Sequence, residues 1–169
     1  MPDIRTGHAT EGTPGLPDEH FAAIGRVAEA WASLELLIDA ACWKLAGLEG
    51  DVGVCLTSQV SGHARKLDAY VALMRLRGAD DAAIKQMNKL AEKARGIAEQ
   101  RNRVVHDPWM ARGALDVPHR MEASARKVAV LKLVPMLTEE VQQLIGVIDE
   151  LWSEFSAIME EADKLPPSS

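Results

Sequence analysis

The sequence predicts an all-α protein, an antiparallel bundle of about four main helices with a small β-hairpin between the third and the fourth. Three observations lead there. Apolar residues recur every three or four positions through most of the 169 residues, β-branched runs are scarce, and glycine and proline punctuate the periodic segments. A chain of this length buries about 70% of its unfolded surface, enough for one core. One helical domain over residues 18–165 is therefore expected, between a flexible segment 1–17 and a disordered tail 166–169.

Residues 1–17 hold Gly7, Gly12, Gly15, Pro2, Pro14 and Pro17 and no apolar period. Asp18 offers a cap for a long first helix, whose stripe reads Phe21, Ile24, Val27, Trp31, Leu34, Ile38, Ala41 and Leu45 and which ends near Gly47 or Gly50. A second helical region covers 51–77, with a short first piece set off by Gly53, Ser61 and Gly62, a main piece carrying Leu67, Tyr70, Val71, Met74 and Leu76, and Gly78 as its stop. Asp80 or Asp81 caps the third helix, striped by Ile84, Met87, Leu90, Ala94, Ile97, Ala98, Arg101, Val104 and Val105. It must end before Pro108, because proline pushes the residue before it out of α space. Turn chemistry at Gly113, Asp116 and Pro118, then Val128, Val130, Leu131, Leu133 and Val134, predicts the hairpin. Thr138 caps the last helix, with Glu139 and Glu140 in its first turn and Val141, Leu144, Ile145, Ile148, Leu151, Trp152 and Phe155 on one face.

No apolar leader opens the chain, no apolar run reaches the roughly 18 residues of a membrane helix, and Cys42 and Cys55 form no Cys-x-x-Cys. A cytoplasmic protein without a membrane partner is expected. The net charge of −6 argues against a polyanion partner until it is divided: residues 65–132 carry +7, between flanks of −6 and −7. That centre is either a basic face for a polyanion or a set of cations attracted to the acidic helices of the same bundle.

Two charges interrupt apolar stripes. Glu35 follows Trp31 by four and Arg101 follows Ile97 by four, so an ion pair between them is expected. Either it fixes the register of the first and third helices, or Glu35 orients an arginine whose planar fork meets a phosphate. Arg101 also opens the segment Arg101-Asn102-Arg103-Val104-Val105-His106, followed by Asp107, Pro108 and Trp109. Asn102 and His106 share a helix face, whereas Arg101 is about 140° around from His106, so a distorted last turn is expected to bring all three together. Read alone, His106 and Asp107 simply end a helix, with histidine at the negative end of its dipole.

This segment resembles the signature of the HEPN superfamily: an arginine, a polar residue, a short spacer and a histidine near a helix end. Trp31-Ala32-Ser33-Leu34-Glu35, Arg65-Lys66-Leu67-Asp68 and Trp109 extend the similarity over roughly residues 20–160. The resemblance implies a homodimer that binds RNA and cleaves it without metal, often as the toxin of a toxin–antitoxin pair, with an antitoxin protein as second partner. It implies Arg101, Asn102 and His106 as catalytic residues, with two motifs meeting in one composite site. Glu35, Asp107 and Trp109 would support them, and Arg103, Arg65 and Lys66 would touch the RNA backbone. Trp109 either packs within the protein or stacks on a base. A tyrosine that some relatives carry two residues after the histidine is Pro108 here, so inactivation by nucleotidylation of that residue does not carry over.

No metal and no cofactor are expected. His8, His20, His63 and His119 do not pair at ligand spacing, and Gly47-Leu48-Glu49-Gly50 lacks the lysine of a phosphate loop. The competing readings are a non-catalytic interaction or RNA-binding module and a nucleotide sensor that grips phosphate without cutting.

Overall fold

The computed structural model describes residues 15–112, 115–124 and 130–166. They are mostly helical: α1 (Asp18–Ala46), α2 (Gly50–Thr57), α3 (His63–Leu76), α4 (Asp81–His106) and α5 (Thr138–Ala162), with strands β1 (Trp109–Arg112), β2 (Leu115–Ser124) and β3 (Val130–Pro135) between α4 and α5. None of these helices is long and apolar enough to cross a membrane.

Backbone chemistry sets the helix ends. Gly47 and Gly78 adopt φ of +67° and +82°. Just beyond them the Leu48 and Ala79 amides donate back to the Trp43 and Met74 carbonyls, closing the α1 and α3 ends with left-handed caps that glycine adopts without a Cβ clash. Asp80 caps α4 as expected, its Oδ1 accepting from the Ala83 amide at 2.8 Å. Thr138 begins α5 but does not cap it. Glu140 reaches back to the Leu137 amide instead, at 2.6 Å, while the Thr138 hydroxyl engages His20.

The expected hairpin is a three-stranded antiparallel sheet in the order β1-β2-β3. Asp116 and Pro118 lie inside β2 rather than in a turn. Pro118 faces Ala111, and the register shifts between Ala111 and Arg112, next to the residue that has no amide to give the ladder. Gly113 and Val128 lie outside the described residues, as do 1–14 of the N-terminal segment and 167–169 of the tail.

Contacts group the chain into two compact units, one built from residues up to Ala28 with Gln100–Ile145, the other from Glu29–Glu99 with Gly146 onward. In the first, His20, Ala23, Val27, Val104, Val141 and Leu144 are buried. Phe21, expected in this stripe, is 55% exposed, because the inward positions of the first turns of α1 are His20 and Ala23. In the second, Trp31, Leu34, Ile38, Leu67, Tyr70, Met74, Met87, Ile148, Leu151 and Phe155 form the core, and the Tyr70 and Phe155 rings meet at 5.1 Å. Trp152 is substantially exposed there, at the edge of the α5 stripe. Gly53 is the one buried residue of α2, and a Cβ on it would come within 2.6 Å of the Trp43 ring.

Candidate active site

Helix α4 stays regular to its end, the Asp107 amide still donating to the Arg103 carbonyl at 3.2 Å. The distorted turn is not needed. Arg101 is long enough to wrap along the helix: its Nη1 donates to Asn102 Oδ1 at 3.0 Å and reaches His106 Nε2 at 3.4 Å. A guanidinium only donates, so Nε2 is the acceptor in this contact. Arg101 is half-buried, while Asn102 and His106 are exposed.

Arg101 has no carboxylate partner among the described residues, and its Nε is buried without an acceptor. The acceptors of its Nη1 are neutral groups on its own helix. Glu35 is a half-buried residue of α1 in the second unit.

Among the described side chains, the cations next to the motif are engaged. Arg103 contacts Glu122 at 3.3 Å and Asp107 at 3.6 Å, Arg120 is paired with Asp107 and lies 3.9 Å from Glu122, and Lys132 approaches Glu122 at 3.4 Å. Asp107, expected to support His106, thus holds β2 to the end of α4 through Arg120. Arg103, expected on the RNA backbone, is a member of the same network. In the second unit Lys66 pairs with Asp39 at 2.7 Å with both side chains largely buried, whereas Arg65 is exposed. Lys93 with Glu154 and Arg95 with Asp68 and Glu92 neutralise further charges of the basic centre. Among the described residues, carboxylates from outside 65–132 meet only Lys66 and Lys93 of this centre, through Asp39 and Glu154, so its excess of positive charge largely persists; within the motif, Arg101 is the arginine that has no carboxylate partner among them.

Trp109 lies at the start of β1 and is half-buried. Its Nε1 donates to the Val104 carbonyl at 2.8 Å, and its ring meets His20 edge-on at 4.4 Å. His20 is fully buried, with Nδ1 3.0 Å from the Thr138 hydroxyl. Sequence reasoning weighs His20 only as a metal ligand and misses its burial; the signal is its position three before Ala23 and seven before Val27. His119 is also buried, its Nδ1–H donating to the Val117 carbonyl at 2.8 Å. In the second unit His63 packs edge-on against Trp31 at 5.1 Å.

Burial holds His20 below its ordinary value of 6.5. The folded chain keeps this ring neutral where the unfolded chain has already taken up a proton, so stability is lost as the pH falls below about 6.5. His20→Gln is expected to lessen the fall in melting temperature between about pH 7 and about pH 5. Parallel pH profiles for the two proteins would show that His20 does not carry that loss.

Among the described residues no group of three or more histidine, cysteine, aspartate or glutamate side chains is arranged to hold a metal ion. Compared with protein-family models, curated proteins and solved structures, the chain has no match.

Proposed function

We propose that this chain is a HEPN-like RNA-binding protein and a metal-independent endoribonuclease of the toxin or defence type. It acts as a homodimer in the cytoplasm, with Arg101, Asn102 and His106 of two copies sharing one cleft. One observation carries the reading: a half-buried arginine, with no carboxylate partner among the described residues, donates to Asn102 and to an exposed histidine at a helix end. A cation left with only neutral partners is ready for an anion, and a phosphodiester offers one.

The chemistry needs two proton-handling groups. A base takes the 2′-hydroxyl proton, the 2′-oxygen attacks phosphorus, the bond to the 5′-oxygen breaks, and an acid protonates that leaving oxygen. One motif supplies one histidine, and a second copy related by a two-fold axis supplies the other. Arg101 stabilises the charge gathering on the phosphorane, and Asn102 orients Arg101 through its Oδ1. Antitoxin binding would work by covering this end of α4.

RNA incubated in chelator with the wild-type protein is expected to yield 2′,3′-cyclic phosphate and 5′-hydroxyl ends. His106→Ala is expected to abolish these ends without altering the dimer measured by sedimentation. Undiminished cleavage by His106→Ala would refute the mechanism. Phosphate binding lost in Arg101→Ala, with no new RNA ends from the wild type, would favour the nucleotide-sensing reading.

A further inference from the structure

We propose that Trp109 is a positioning residue for this site: its indole supplies the hydrogen-bond donor that Pro108 cannot, and so fixes the last turn of α4. In an α-helix the carbonyl of residue 104 accepts from the amide of residue 108. Residue 108 is proline and has no amide hydrogen. The Val104 carbonyl, on a residue that is 1% exposed, would lack its helical donor where water reaches it poorly. The Trp109 Nε1–H fills that place at 2.8 Å.

The backbone at 108–109 is held by the sheet, and the indole by His20. Trp109 pairs with Arg120 in the β1–β2 ladder, the Met121 amide donates to the Pro108 carbonyl at 2.8 Å, and the His20 ring meets the indole in a T-shaped contact at 4.4 Å while bonded to Thr138. The turn so fixed contains Arg103 to His106 and follows directly on Arg101 and Asn102. Small movements of catalytic groups cost rate steeply, so a cap on this turn reaches the chemistry without touching substrate. The assignment differs from base stacking, in which the indole would have to face the nucleic acid with its ring.

The role rests on reading this turn as the site, but the hydrogen bond can be tested without activity. Trp109→Phe keeps a ring against His20 and removes the donor. Pro108→Ala restores an amide at position 108 and frees Asp107 to continue the helix. Hydrogen exchange of the amides from Val104 to Asp107 is expected to quicken about tenfold in Trp109→Phe, and to return within about threefold of wild type when Pro108→Ala is added. Exchange unchanged in Trp109→Phe, or no recovery in the double variant, would overturn the proposal. Should Trp109→Phe fail to fold, the wild-type protein decides: slow exchange of the Trp109 indole hydrogen is expected, and exchange at the rate of a free indole would overturn the cap.

On RNA, Trp109→Phe is expected to lower kcat about tenfold with KM unchanged, and Pro108→Ala to restore it. A raised KM that Pro108→Ala leaves untouched would instead identify a stacking residue and overturn positioning. If the wild type cleaves no RNA, the functional reading fails while the exchange result stands by itself.

Discussion

Arg101→Ala is expected to lower RNA cleavage by about 10²- to 10³-fold, the loss that follows removal of one well-aimed donor to a developing oxyanion. The side chain has two jobs in the structure. Its Nη1 links Asn102 to His106, and its charge is free of any carboxylate among the described residues. Alanine removes both the cation and the contact that keeps Nε2 of His106 an acceptor. Arg101→Lys restores charge but not the planar fork, and a single ammonium does not reproduce the guanidinium's geometry at two neutral acceptors and a phosphate. It is therefore expected to stay at least tenfold below wild type in kcat/KM, measured with one defined RNA. Recovery by lysine to within threefold would mean that a point charge suffices.

The largest loss of stability is expected from Arg120→Met. The Arg120 side chain is 11% exposed, between Asp107 at 20% and Glu122 at 18%. Removing it leaves two sparsely hydrated carboxylates with only Arg103 and Lys132 against them, and breaking such a pair from one side costs about 3 kcal/mol. For a chain of this size that is a fall in melting temperature of roughly 6–12 °C. Lys132→Ala, at the exposed rim of the same network with its side chain 55% accessible, is expected to cost under about 0.5 kcal/mol. Thermal melts of the two variants side by side make the test; equal effects would mean that burial does not grade this network.

The helices were legible because their signals are local. Gly47, Gly62 and Gly78 each take the positive φ that a break between helices requires, and Asp80 caps where its side chain can reach back to an amide three residues on. The motif at the end of α4 was legible for the same reason: Arg101, Asn102 and His106 are brought together by one helix. What the sequence concealed depends on contacts between distant segments. His20 is buried because Trp109 and Thr138, 89 and 118 residues further on, surround it. β1 is four residues long, too short for an alternating pattern, and exists because β2 pairs with it. Arg101 was expected to seek a carboxylate on another helix, and Asp107 to serve His106. The partners the structure gives them are Arg120 of β2 for Asp107, and Asn102 and His106 for Arg101.

The small sheet has a bearing on how many copies can come together. An open strand edge invites another chain, and repeated invitation gives fibres rather than pairs. Here one edge strand, β1, spans only four residues. The other, β3, carries exposed Lys132, a charge that discourages strand addition, and ends on Pro135, which has no donor to offer. Both margins of the sheet, as far as the described residues show them, are therefore poor templates for the lateral addition of a further strand.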